Sequence, residues 1–183
     1  MKQITLRAIE PEDLDLLYRI ENDVELWNVG NTNVPYSRYL LHDYVANCKN
    51  DIYTDRQVRM MVENQASEVV GVADLVNFDP ANCRAEVGLI VLNSYRRQGY
   101  GTAMLQALAD YAQRILHLHQ LYAYVDCENK ASLCLFEKAG YKVCAKIGDW
   151  LFDGAKYRDS VLIQYVFQKK MRLNRKKIAK KFW

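Results

Sequence analysis

The chain has 183 residues, half of them hydrophobic, enough for one core that needs no disulfide or structural metal. Its net charge of +3 hides an asymmetry: residues 168–183 hold eight of the 25 basic residues and no acidic one, leaving a body of charge −5 suited to a cationic substrate. No run approaches the roughly eighteen apolar residues of a membrane span, and the opening residues reach Glu10 and Glu12 too soon for a signal peptide.

A cytoplasmic protein is therefore expected. The five cysteines include no Cys-x-x-Cys spacing, so reduced thiols are expected rather than a disulfide framework or zinc knuckle. No metal is expected either; His117 and His119 fit a helix end better than a ligand set.

Residues 4–9 alternate as a first strand, and Pro11 stands where a helix's first turn tolerates it, ahead of Leu14, Leu17, Tyr18 and Ile20 at helical spacing. Residues 28–35, rich in Asn and Gly, form a loop, after which Ser37 caps a helix carrying Leu40, Leu41, Tyr44 and Val45. Strands over 58–63, 69–78 and 85–92 follow as an antiparallel meander, turning at Gln65-Ala66-Ser67 and around Asp79-Pro80-Ala81-Asn82.

From 102 to 116, Leu105, Leu108, Ala109, Ala112 and Ile115 recur on one helical face; 121–125 is a strand, and 131–139 a helix stopped by Gly140. Residues 141–152 and 156–167 close as a hairpin across Asp153-Gly154. The pattern predicts one α/β (α+β) domain over 1–167, a mixed and mostly antiparallel sheet with helices on both faces, followed by a basic tail at 168–183.

Between the third meander strand and the next helix stands Arg96-Arg97-Gln98-Gly99-Tyr100-Gly101. A strand turning through glycines into a helix N-terminus aims free backbone N–H groups and the positive end of the helix dipole at one point, so a phosphorylated ligand is expected there. A P-loop would need Gly-Lys-Ser or Gly-Lys-Thr, yet Thr102 follows Gly101 directly; a dinucleotide fingerprint needs Gly or Ala where Met104 stands.

That loop, with Tyr124-Val125-Asp126-Cys127-Glu128-Asn129-Lys130-Ala131 and Leu135-Phe136-Glu137-Lys138-Ala139-Gly140-Tyr141 downstream, resembles the GNAT superfamily of acetyl-CoA-dependent N-acetyltransferases in order and spacing. The resemblance covers about residues 4–167, and Arg84-Ala85-Glu86 and Gly154-Ala155-Lys156-Tyr157-Arg158-Asp159 are most similar to its spermidine and ribosomal-protein N-terminal acetyltransferase branch.

The resemblance implies a GNAT-like sheet and acetyl-CoA as co-substrate. Arg96, Arg97, Gln98, Gly99, Tyr100, Gly101 and Thr102 would hold its pyrophosphate, mainly through backbone N–H groups, and the backbone around Leu89, Ile90 and Val91 would pair with the pantetheine arm. Asn129 matches a cofactor-contacting asparagine, although Asn before Lys130-Ala131-Ser132 is also a good N-cap. Glu86 stands where some members of the branch place a carboxylate able to take the ammonium proton through water; pairing with Arg84 is its plainer use.

Phe136 departs from the pattern. Many members place there a tyrosine that protonates the departing thiolate, and Phe has no proton to give. Cys134, two residues earlier, is expected in the core rather than as a substitute acid. The recognition region also departs from the spermidine enzymes, whose acids cluster there: residues 28–36 are polar but uncharged, Glu21, Asp23 and Glu25 fit a solvated helix face, and Trp27, Tyr36 and Tyr39 fit packing or contact with an amine.

The expected reaction is direct attack of a primary amine on acetyl-CoA in a ternary complex, a small amine such as a polyamine being favoured over a protein N-terminus. The alternatives are an acyl-CoA sensor with little turnover and a protein N-terminal acetyltransferase. A homo-oligomer is compatible with the sequence, and the basic tail suits either a solvated end or an anionic partner.

Overall fold

A computed structural model describes residues 2–27, 34–48 and 51–167. Seven strands form one sheet in the order β1-β2-β3-β4-β5-β7-β6. They are β1 Ile4–Arg7, β2 Val58–Asn64, β3 Val69–Asp79, β4 Arg84–Val91, β5 Gln120–Asp126, β6 Lys142–Phe152 and β7 Tyr157–Val166. Every pairing is antiparallel except β4 with β5. The helices are α1 Leu14–Glu21, α2 Val24–Trp27, α3 Arg38–Asn47, α4 Ile52–Asp55, α5 Tyr100–Arg114 and α6 Lys130–Lys138.

The period-2 alternation of the central strands separates two cores. On one face Val62, Val70, Leu75, Ala85, Val87, Leu121, Ala123 and Val125 pack with Met104, Leu105 and Leu108 of α5 and Phe136 of α6. On the other, Met61 and Val72 pack with Leu17 and Ile20 of α1, and Ile90 joins them. Thus Glu86, Gly88 and Ile90 of β4 face α1, while their neighbours face α5.

Local chemistry sets the element ends. Pro11 opens a short 3-10 turn before α1, and Ser37 accepts from the Leu40 N–H at the start of α3. Gly140, at φ 89°, ends α6 as the Tyr141 N–H reaches the Phe136 carbonyl. The last hairpin turns through four residues, 153–156, with the Asp153 carboxylate accepting from the Ala155 and Lys156 N–H groups.

Several details differ from the sequence expectation. The one-turn helices α2 and α4 are too short to show a period, and Leu40 is 49% exposed because α3 buries only Leu41 fully. Cys134 is exposed, not core: two helical residues span about 200°, so burying Phe136 turns Cys134 outward. Glu21 is not a solvated acid, since it pairs with Arg59 of β2, which also holds Asp74 of β3 at 2.9 Å.

Candidate functional site

Pairing between β4 and β5 stops early. Arg84, Ala85 and Glu86 are in register with Gln120, Leu121 and Tyr122, and beyond that point β5 continues only with β7. Among the described residues, the β5-facing backbone edge of β4 from residue 87 to 91, including Leu89, Ile90 and Val91, is left without a strand partner. Unpaired strand groups are strong donors and acceptors, so this edge is suited to an extended amide-bearing arm.

The same edge leads to the glycine loop. A 3-10 turn at Asn93–Tyr95 is followed by Arg97 at φ 59° and Gly99 at φ 88°, and α5 begins at Tyr100. The Ala103 N–H makes the first helical rung to the Gly99 carbonyl at 3.2 Å, which leaves the N–H groups of Tyr100, Gly101 and Thr102 ahead of the ladder. Free N–H groups at a helix N-terminus are suited to the oxygens of an anion.

Side chains there have narrower roles. Arg96 donates from Nε to the Val91 carbonyl at 3.1 Å, and Gln98 to the Ser94 carbonyl at 2.7 Å, so both brace the loop. Arg97 is exposed, while the Tyr100 ring is buried edge-on to Tyr95. A Cβ on Gly101 would lie 3.0 Å from Leu135, so this glycine sets the close approach of α5 to α6. Lys2, which no motif indicated, lies over Tyr100 with Nζ 5.0 Å from the ring centroid and adds a cation at the loop. Ile90, Val91 and Arg96 also line a cavity of about 270 Å³ with Leu16, Arg19 and Leu26.

Asn129 caps α6: its Oδ1 accepts from the Ser132 N–H at 3.0 Å, which leaves its amide nitrogen for another acceptor. The buried Phe136 ring meets Tyr141 edge-on at 5.0 Å. Among the described residues the buried Tyr141 hydroxyl has no hydrogen-bond partner, and burial, then the neighbouring Tyr165, pushes its phenol well above the usual range.

Glu86 does not pair with Arg84, whose guanidinium goes to Asp79 at 3.1 Å. Its Oε2 instead accepts from Asn77 Nδ2 at 2.8 Å, and Asn77 stands at φ 49° where the β3–β4 register breaks. Such a bulge re-aims a side chain without ending the sheet. Tyr122, in register with Glu86, has its phenol pushed up by burial and then by the Glu86 charge.

Residues 28–33, the polar loop in which acceptor recognition is expected, and the basic tail 168–183 lie outside the described residues. Of the aromatic candidates nearby, Tyr39 is 80% exposed, and Tyr36 is tied through its backbone to Asn22.

A family model for the acetyltransferase (GNAT) domain matches residues 3–142. A spermidine N(1)-acetyltransferase of Vibrio cholerae is 26% identical over 173 residues, covering 94% of this chain and 97% of that protein. Another spermidine N(1)-acetyltransferase, from Escherichia coli K12, is 25% identical over 162 residues, 86% of this chain and 83% of its own length. Among solved structures, spermidine N-acetyltransferase from Vibrio cholerae in complex with CoA and spermine has the same fold, with a TM-score of 0.79 at 24% identity over 90% of this chain and 95% of that one.

Proposed function

The chain belongs to the acetyltransferase (GNAT) family and is an N-acetyltransferase; we propose that it moves acetyl from acetyl-CoA to a primary amine of a polyamine such as spermidine, by direct attack with both substrates bound. The observation that carries this is the free β4 edge running into the unladdered N–H groups of α5. Diphosphate oxygens meet Tyr100, Gly101 and Thr102 N–H groups, with Gln98, Gly99 and the arginines shaping the loop. The pantetheine amides follow Leu89, Ile90 and Val91, Asn129 offers its remaining amide N–H, and a β4 N–H faces the acetyl oxygen as charge develops there.

The amine enters from the α1 face, where Glu86 lies. An alkylammonium of pKa near 10 must lose a proton before attack, and Glu86 receives it through water. Its hydrogen bond to Asn77 holds the carboxylate in place, and no cation neutralises it among the described residues. On the leaving side Phe136 supplies no acid. A thiol of pKa near 8.5 departs tolerably as its anion, so the reaction proceeds by positioning and by removal of the amine proton.

The polyamine assignment rests on the two curated relatives, each matched along most of its length, and on the −5 charge of residues 1–167. It is tested by incubating the protein with acetyl-CoA and polyamines, aminoglycosides, amino acids or short peptides while following free thiol. Fastest thiol release with a polyamine is expected; tight coenzyme binding without amine-dependent release defeats the reading in favour of a sensor.

A further inference from the structure

On the α1 side of the sheet, Tyr122 and Tyr124 project beside Glu86 as alternate residues of β5, the intervening Ala123 being in the opposite core. Tyr122 meets Tyr124 edge-on at 5.9 Å, and Tyr124 stacks on Trp150 at 5.7 Å with the planes 28° apart. This stack is not core: Tyr124 is 39% exposed and Trp150 54%.

The stack spans sheet positions that are not adjacent, because β7 lies between β5 and β6. Trp150 reaches across by a bulge. The β6–β7 register breaks between Ile147 and Leu151, Asp149 takes φ 50°, and its N–H donates to Asp159 Oδ1 at 3.1 Å. Asp159 also holds Lys146 at 2.6 Å, so the bulge is tied down at two points. A bulge that turns an indole onto an exposed tyrosine is a device for presenting an aromatic face.

The surroundings favour a cation. Asp126 continues the Tyr122–Tyr124 row, and Asp126, Glu128 and Asp153 share Arg158 at 2.7, 3.8 and 3.4 Å, with Lys156 the only other cation paired there among the described residues. Three carboxylates against two cations leave the patch negative. With about 7 Å between alternate strand residues and about 5 Å between strands, the stack begins on the order of 10 Å from Glu86. That is one alkyl spacer or two from the reacting nitrogen of an extended polyamine.

We propose that Tyr124 and Trp150 form a subsite for the distal ammonium and methylenes of the acceptor, selecting polyamines over monoamines, with Asp159 as the residue that positions Trp150. This rests on the polyamine reading above. An ammonium over an indole or phenol face, flanked by methylenes on the ring, is held by the ring quadrupole and by apolar contact.

The test compares Trp150→Leu, Trp150→Phe and Tyr124→Leu with the parent protein, taking kcat/KM for spermidine relative to n-butylamine, and calorimetric spermidine affinity as a readout independent of turnover. Selectivity is expected to fall about 3- to 30-fold in both leucine variants, as a lost cation–π contact implies, and to be largely kept by Trp150→Phe. Unchanged selectivity, or equal loss for both amines, overturns the proposal. If the parent acetylates no polyamine, the reaction assignment fails by itself; the subsite then stands only if spermidine binds the parent and binds Trp150→Leu more weakly by a similar factor. Equal affinities, or no binding to the parent, overturn it. Each variant's melting temperature shows whether it is folded, and Tyr124→Leu provides the decision if Trp150→Leu is not.

Discussion

Replacing Gly99 with Ala separates the backbone role of the loop from general stability. Gly99 holds φ 88° as the N-cap of α5, and a Cβ added there would have only Lys2 Cγ within reach, at 4.0 Å, so the variant folds. The cost is conformational: an L residue held left-handed loses about 1–2 kcal/mol. For a chain of this length that lowers Tm by about 2–8 °C.

Gly154→Ala is the matched control, because Gly154 holds φ 94° with nothing within 4 Å of its would-be Cβ and lies in the β6–β7 turn, outside the glycine loop. Both variants are expected to melt early by similar amounts. Only Gly99→Ala relieves its strain by turning the Tyr100, Gly101 and Thr102 N–H groups off their target. Losing one hydrogen bond to a charged oxygen costs about 1.5–3 kcal/mol, or about 10- to 150-fold in coenzyme A affinity. Calorimetric titration with coenzyme A beside thermal melts reads both quantities. A Gly99→Ala protein that melts early yet binds coenzyme A like the parent would refute the assignment of this loop.

Glu86→Gln keeps the shape and an acceptor for Asn77 but removes the base, so kcat is expected to fall by about 10²-fold or more and the pH–rate profile to move upward toward the amine's own pKa; full activity with an unchanged profile removes Glu86 from the mechanism. Phe136→Tyr is expected to leave kcat unchanged or raise it by less than about tenfold, because the thiolate already leaves unaided; rates with spermidine at saturating acetyl-CoA check it. Asp13 answers to pH. Burial alone would raise its carboxyl, but the Arg7 guanidinium at 2.6 Å and the Glu10 N–H outweigh that and hold it below the usual range. A depressed folded pKa gives stability that is complete above about pH 4 and is lost as pH falls through the lower folded value. Asp13→Asn is therefore expected to be less stable than the parent at neutral pH, with the gap closing in acid, as urea unfolding at pH 7 and pH 3 would measure.

The parts of the fold legible in the sequence are those governed by neighbours along the chain. Pro11, Ser37, Gly99 and Gly140 stand at element ends because their preferences act within a turn, and the alternation in β2 to β5 sorts the two cores. What the sequence hid depends on residues far apart in it. Glu21 meets Arg59 across 38 positions, and Glu86 takes Asn77 rather than the nearby Arg84 because a bulge turns Asn77 toward it. Trp150 meets Tyr124 only because the β6 bulge carries it over β7. Asn129 caps α6 through its amide oxygen, as Asn before Lys130-Ala131-Ser132 suggests, while the proposed coenzyme contact would use the remaining amide nitrogen. Lys2 carried no motif at all, since its place beside the loop comes from β1 packing near the start of α5.

The most direct test of acetyl transfer to a polyamine is the stoichiometry of a single reaction: the protein with acetyl-CoA and spermidine, free thiol counted against acetylated amine by mass spectrometry. One thiol released per monoacetylated spermidine, at a rate that saturates in both substrates, is the predicted result. Coenzyme binding with no spermidine-dependent thiol release, or acetyl appearing only on peptide N-termini, would contradict it.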